Sequence, residues 1–137
     1  MKAVVDTNVV AYYLLGNPLF EADARAFWEG LRAPLAPALW EAELANVVWM
    51  SVRTGVLAAP DALAKLHLAR RLGIHTVATR ALWHGALVRS VQTGVAVYDT
   101  LFVELAVREG APLVTFDQRL LTTWPEIARR PADVRAR

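Results

Sequence analysis

What most constrains this chain is a repeated change of period. Ala3-Val4-Val5 is a short β-branched run, and at Asp6-Thr7-Asn8 the apolar spacing switches to that of a helix, through Val9, Val10, Tyr13 and Leu14. The switch then recurs. Gly16-Asn17-Pro18 breaks the first helix, and a second is expected from Leu19 to Leu31, with Ala24, Phe27, Trp28 and Leu31 on one face. Ala33 to Pro37 is extended, bracketed by prolines. A long helix follows from Ala38 to Arg53, closed by Thr54-Gly55, and Pro60-Asp61 opens another that ends near Leu72-Gly73.

Ile74 to Val77 reads as a strand, and Thr79 is placed to cap a helix running to Gln92. Val95 to Tyr98 reads as extended, Asp99 to Glu109 as helical, and Pro112 to Phe116 as the last clear strand. Asp117 to Thr123 has the pattern of a helical turn, and Ile127-Ala128 that of an edge strand. Short strands alternating with helices predict a layered α/β fold with a mainly parallel sheet. At 137 residues the chain has the length of one domain, residues 1–137.

Composition narrows the chemistry. The chain has no cysteine, which excludes a disulfide scaffold, a thiolate metal site and a Cys nucleophile. No apolar run approaches the roughly 18 residues of a membrane span, and the acid at Asp6 comes too early for a signal peptide, so a cytoplasmic protein is expected. The 15 basic and 13 acidic residues leave a net charge of +2, with a pI near 9.4, which permits a polyanionic partner without requiring one. Only 20% of residues are charged, against roughly 25% in average soluble proteins, and mean hydropathy is +0.30. A small domain of this kind carries more apolar surface than its core hides, so an interface is expected: a homodimer, a second partner, or both. A compact, heat-adapted monomer is the competing reading.

The acids give the sharper expectation. Sites in open parallel sheets form beyond the carboxyl ends of the strands. Asp6 ends the first strand, and Asp117 follows the last. The helix from Asp99 to Glu109 climbs about 16 Å. The strand after Gly110 returns over about the same distance. Asp99 and Asp117 should therefore come out level, 18 positions apart. Glu43 lies in the second turn of the long helix, near the same edge, with Asn46 on its face. Glu41 serves as a control, because it points about 200° further round. Each acid has a structural role open to it as a cap or a solvated side chain. Independent caps, however, need not converge on one edge.

Four carboxylates in one pocket would repel one another unless a cation joined them. With no Cys and no paired His, zinc is disfavoured, and a hard oxygen-seeking ion, Mg²⁺ or Mn²⁺, is the expected occupant. Thr7, Asn8 and Thr115 are the candidates for orienting the carboxylates. Such a site can activate water and stabilise an in-line phosphoryl displacement. Among the arginines, Arg119 is the first candidate for a phosphate contact because it follows Asp117. His67, His75 and His84 have no metal spacing. Trp28, Trp40, Trp49 and Trp83 sit in helical apolar patterns that suggest core or interface.

Three segments together resemble the PIN domain, in particular its VapC-type ribonuclease toxins: Val4-Val5-Asp6-Thr7-Asn8, Leu39-Trp40-Glu41-Ala42-Glu43-Leu44-Ala45-Asn46, and Val97-Tyr98-Asp99 with Leu113-Val114-Thr115-Phe116-Asp117. By position, the resemblance puts acidic metal ligands and catalytic groups at Asp6, Glu43, Asp99 and Asp117, a supporting hydroxyl at Thr115 and a supporting amide at Asn46. It implies an α/β/α sandwich of three layers with a short, mainly parallel sheet. It also implies Mg²⁺- or Mn²⁺-dependent cleavage of RNA to a 3′-hydroxyl and a 5′-phosphate, a homodimer, and a cognate antitoxin. Phe102 departs from the pattern, where such proteins often carry Tyr. A housekeeping RNA-processing nuclease or a non-catalytic PIN-like binding module would share the fold. Dehalogenase-type phosphatases and receiver-like phosphoacceptors fit poorly: the former want a second Asp where Asn8 stands, and both want a Lys that is missing or misplaced.

Overall fold

The computed structural model describes residues 1–134. Lys2–Val5 forms β1, and the chain turns at Asp6 into α1, Thr7–Leu15, and then α2, Glu21–Glu29. Strand β2, Ala33–Pro37, leads to α3, Leu39–Arg53, and α4, Ala59–Ala69. Strand β3, His75–Val77, leads to α5, Thr79–Thr93, and α6, Val97–Glu109. Strand β4, Leu113–Val114, α7, Gln118–Thr123, and β5, Ala128–Arg129, complete the sheet before a short 3₁₀ turn at Pro131–Asp133.

The strands lie in the order β3-β2-β1-β4-β5, and every pairing is parallel. This is the layered α/β architecture expected from the alternation of periods. The chain winds outward from β1 to β3, then crosses back to β4 and β5. With right-handed crossovers, the two directions of winding put α1–α4 on one face of the sheet and α5–α7 on the other. In keeping with that, α1 packs on α2, α3 and α4, while α5 packs on α6, which lies against β1 and β2. Ala3, Val4 and Val5 are all buried because helices cover both faces of their strand. Each buried Val contributes roughly 1.5–3 kcal/mol.

The direction of winding reverses between β1 and β4, so their carboxyl ends flank the switch point where a doubly wound sheet opens a crevice. Their register is Val4 with Leu113 and Val5 with Val114. Asp6 and Thr115 therefore leave the sheet side by side.

Several boundaries differ from expectation. Val97 and Tyr98 are the first residues of α6 and not extended, because Ala96 (φ −62°, ψ 148°) is the N-cap and no strand neighbours this stretch. Thr79 does not cap α5; Ala78 stands at that position and Thr79 is already helical. The Pro112–Phe116 stretch narrows to a two-residue strand, since the side chains beyond Val114 are turned to other uses. Helix α4 ends at Ala69, short of Leu72. Trp40 is buried, but Trp49 and Trp83 are about half exposed and lie under Arg53 and Arg80. They belong to the surface and not to the core.

Thr100 to Ala106 of α6 are buried without a break, and Glu104 is among them. Arg89 Nε (3.0 Å) and Arg108 Nε (2.9 Å) donate to its two oxygens. Burial pushes the Glu104 carboxyl up, but these two guanidinium groups outweigh it and hold the pKa below the usual range. Gly85 on α5 leaves the room that this carboxylate occupies.

Candidate active site at the switch point of the sheet

Asp6 is the centre of the site. It caps α1 in an extended conformation, and its Oδ1 accepts from the Thr7 backbone N–H at 2.8 Å. Its Oδ2 accepts from the Thr115 hydroxyl at 2.7 Å and, at 3.4 Å, from the Asn8 amide. The parallel register explains the pairing: residues 109 positions apart meet because β1 and β4 end together. Asn8 completes the stitch, with its Oδ1 accepting from the Phe116 N–H at 3.3 Å.

The other acids surround this carboxyl. Glu43, on the second turn of α3, accepts a 2.8 Å hydrogen bond from the Thr7 hydroxyl. Asp99 lies in the first turn of α6. Asp117 caps α7, with Oδ1 accepting from the N–H groups of Arg119 (2.8 Å) and Leu120 (3.3 Å), while its own N–H donates to Thr115 Oγ1 at 2.9 Å. Thr115 is thus a relay between Asp6 and Asp117. Phe102, where the resemblance anticipates Tyr, is buried.

Electrostatics ties the four together. Asp6 is pushed from 3.8 to about 7, first by burial, against the Thr115 hydrogen bond, and further by the charges of Glu43 and Asp99. Glu43 is also raised, by burial and by Asp99 against the Thr7 hydrogen bond. Asp99 is raised by burial and by Asp117, against the nearby Arg119 guanidinium. The couplings Asp6–Glu43, Asp6–Asp99, Glu43–Asp99 and Asp99–Asp117 chain the four acids into one electrostatic cluster. Among the described residues, no three His, Asp or Glu side chains are drawn together tightly enough to grip an ion as they stand. Glu43 and Asp99 bear on Asp6 directly, Asp117 is linked to it through Asp99 and Thr115, and the four do not make a closed cage.

This donor set suits a hard divalent cation. Every candidate ligand is a carboxylate oxygen, the supporting groups are hydroxyls and an amide, and the buried Asp6 carries an ionisation cost that a cation would remove. The three histidines are exposed. Asn46, one turn beyond Glu43, is exposed on α3, and among the described residues no hydrogen bond ties it to the acids. Glu41 behaves as the control it was expected to be: it is exposed and faces a separate hollow between α3, α4 and β3, about 650 Å³ in volume, which none of the four acids lines. Sequence reasoning offered capping by Asp6 and Asp117 only as an alternative to a role in the site, whereas both acids cap a helix and stand among the acids at once, and it named Thr7 as an orienting group without naming Glu43 as its partner. The hydroxyl following Asp6 was the available signal.

The PIN domain family model matches residues 3–123. Ribonuclease VapC3 of Pyrobaculum aerophilum is 28% identical over 131 residues, which span 93% of this chain and 98% of that protein. Among solved structures, a chain of a toxin–antitoxin complex from Klebsiella pneumoniae aligns with a TM-score of 0.68 at 14% identity, over 97% of this chain and all of that one. A chain of VapBC2 from Rickettsia felis, bound to a DNA fragment from their promoter, aligns with a TM-score of 0.65 at 17% identity, over 95% of this chain and 98% of that one. These two likenesses concern the fold.

Proposed function

This chain belongs to the PIN domain family, and on that premise we propose that it is a Mg²⁺- or Mn²⁺-dependent endoribonuclease, the toxin of a toxin–antitoxin pair. The observation that carries the reading is the state of Asp6: a buried carboxyl at the switch point, supplied with hydrogen-bond donors yet pushed to about 7 by burial and two neighbouring acids. The sequence relationship to Ribonuclease VapC3 supports the choice of RNA as substrate.

In this reading Asp6, Glu43, Asp99 and Asp117 would hold the ion. The bound ion would polarise the phosphodiester and lower the pKa of the attacking water. The chain's own residues set the stage. Thr115 and the Thr7 N–H keep Asp6 oriented for an ion rather than a proton. Thr7 fixes one oxygen of Glu43. Asp117, with one oxygen committed to α7, has the other free to face the ion. Asn8 locks the two strand ends that carry the ring, and Asn46 is available to RNA from the open side of α3. Cleavage would leave a 3′-hydroxyl and a 5′-phosphate.

The partners follow from the same reading. Trp49, Met50, Trp83, Leu87 and Val91 present apolar surface on α3 and α5. That surface supports a homodimer and a cognate antitoxin. Among the described residues no helix is long and apolar enough to cross a membrane, and we place the protein in the cytoplasm as a single domain over 1–137, whose last three residues lie outside the described ones.

The test is RNA cleavage by purified protein with Mn²⁺, with Mg²⁺ and with chelator, beside Asp99→Asn. Cleavage that needs the ion and vanishes in the variant is expected. A parent inert on every RNA offered, or a variant as active as the parent, would overturn the proposal. A neighbouring gene for a small protein that binds this chain and silences it would separate a toxin from a housekeeping nuclease.

A further inference from the structure

The four acids make the crevice strongly anionic, yet the substrate proposed for it is a polyanion. An ion held by the acids would meet part of that charge, and a basic side chain at the crevice would meet more of it. Several basic side chains elsewhere are engaged, Arg25 with Glu21, Arg89 and Arg108 with Glu104, and Arg53 and Arg80 over tryptophan rings. Among the described residues, no basic charge other than that of Arg119 bears on Asp6, Glu43 or Asp99. Arg119 is different. Its backbone N–H is held by Asp117 Oδ1 at 2.8 Å, so the acid ring itself fixes where the side chain begins. Its guanidinium is exposed, and one Nη2 hydrogen bonds the Gly94 carbonyl at 2.9 Å. Gly94 ends α5 in the left-handed conformation (φ 75°). The charge of Arg119 bears on Asp99, yet no ion pair within 4.0 Å joins Arg119 to any acid among the described residues. A long flexible cation beside two carboxylates would ordinarily close on one of them. Here it is held by a neutral carbonyl, close enough to the crevice for its charge to act on Asp99, and among the described residues its other side-chain N–H donors have no partner.

We propose that Arg119 binds the phosphate being cleaved, with its guanidinium donating to a non-bridging oxygen opposite the acid ring. The proposal rests on the nuclease reading of the same site and adds a substrate-contacting group to it. The geometry suits an arginine: the planar fork can keep Gly94 on one edge and offer a bidentate edge to phosphate, which an ammonium cannot. Anchoring at Gly94 also means that the cation is positioned before substrate arrives, so little reorganisation is needed as charge builds on the phosphate in the transition state.

Two measurements on the parent, Arg119→Ala, Arg119→Lys and a remote control, Arg71→Ala, decide it. The first is binding of a fluorescently labelled single-stranded RNA in chelator across a series of salt concentrations. Losing one phosphate contact should reduce the slope of log affinity against log salt by about 0.7 in Arg119→Ala, leave it in Arg119→Lys, and leave it in Arg71→Ala. The second is cleavage with Mn²⁺. Arg119→Ala should lose roughly 10²-fold in kcat/KM, mostly through kcat, with Arg119→Lys recovering part of it. Arg119 is exposed, so melting temperatures should match the parent's. An unchanged salt slope in Arg119→Ala overturns the proposal whether or not the parent cleaves RNA. A reduced slope with unchanged kcat/KM also overturns it, because the phosphate held would not be the reacting one. A parent that binds RNA with the expected slope change but never cleaves would sink the nuclease reading, leaving Arg119 as a phosphate contact only.

Discussion

The ionisation of Asp6 should be visible as a pH-dependent weakness of the metal-free protein. Its carboxyl moves from 3.8 to about 7 on folding. Below pH 4 both the folded and the unfolded chain are protonated there, and no cost arises. As pH rises from 4 towards 7, the unfolded chain ionises while the folded one resists, so folding stability falls; above about 7 the loss is complete. At about 1.4 kcal/mol per pH unit, a span of roughly three units amounts to about 4 kcal/mol. That is a large fraction of the 5–15 kcal/mol typical of a domain. Asp6→Asn removes the ionisation. It keeps an acceptor for the Thr7 N–H but loses the charged acceptor for the Thr115 hydroxyl, at about 1–2 kcal/mol. The net gain in chelator near pH 8 is therefore about 2–3 kcal/mol, or roughly 6–9 °C in Tm. Near pH 4 the gain should vanish and turn into a small loss. Saturating Mg²⁺ or Mn²⁺ should raise the Tm of the parent more than that of Asp6→Asn, closing the gap. Thermal melts at several pH values, with and without ion, read all of this. A variant no more stable than the parent near pH 8, or one stabilised equally near pH 4, would refute the reasoning.

Further perturbations probe the other parts. Glu43→Gln should lower RNA cleavage by at least about 10²-fold, whereas Glu41→Gln, two positions away and facing the α3–α4 hollow, should stay within about twofold of the parent in the same assay. Thr115→Val should weaken the ion-dependent rise in Tm, with a 10–100-fold loss of apparent affinity in a metal titration, because Asp6 and Asp117 both lose their shared hydroxyl. Gly85→Ala inverts a usual rule: Ala in place of Gly inside a helix gains about 1 kcal/mol, but here the new methyl would collide with the Glu104 carboxylate, so denaturant melts should show a loss of about 1–3 kcal/mol.

The parts of this molecule that were legible in advance are those set by period and punctuation. Ala3-Val4-Val5 could be read as a short strand, and Gly16, Gly94 and Gly110 mark helix ends that fall where left-handed or irregular caps stand. The levelling of Asp99 with Asp117 followed from rise per residue alone and matches their electrostatic coupling. What failed or stayed open did so for lack of tertiary information. Val95-Ala96-Val97-Tyr98 has β-branched residues but no strand to pair with, so α6 begins inside it. Trp49 and Trp83 have helical spacing, which says that a face is apolar without saying whether anything covers it. Asn46 shares a helical face with Glu43, but a face spans a wide arc, and only the structure shows that Thr7 meets the Glu.

Asp6 also argues about what kind of chemistry the crevice suits. A carboxyl near 7 could be read as a general acid poised to exchange a proton at neutral pH. Its hydrogen bonds point the other way. The Thr7 N–H, the Thr115 hydroxyl and the Asn8 amide all donate to it, and a protonated carboxyl would waste acceptor capacity that three donors have been arranged to fill. The surroundings are therefore built for the ionised form, while burial and the charges of Glu43 and Asp99 oppose it. Donors from the protein reduce that conflict but do not remove it, because the pKa remains high with all of them in place. Relief requires a positive charge, and the basic group whose charge bears on the ring, Arg119, is tied to Gly94 and forms no ion pair with any acid there. A mobile cation fits the remaining need, and Glu43→Gln offers the discriminating case. Removing one repelling charge should lower the Asp6 pKa and make a proton-exchanging site less poised at neutral pH. It should also weaken metal binding, and a rate recovered by adding more Mn²⁺ would favour the ion over the proton.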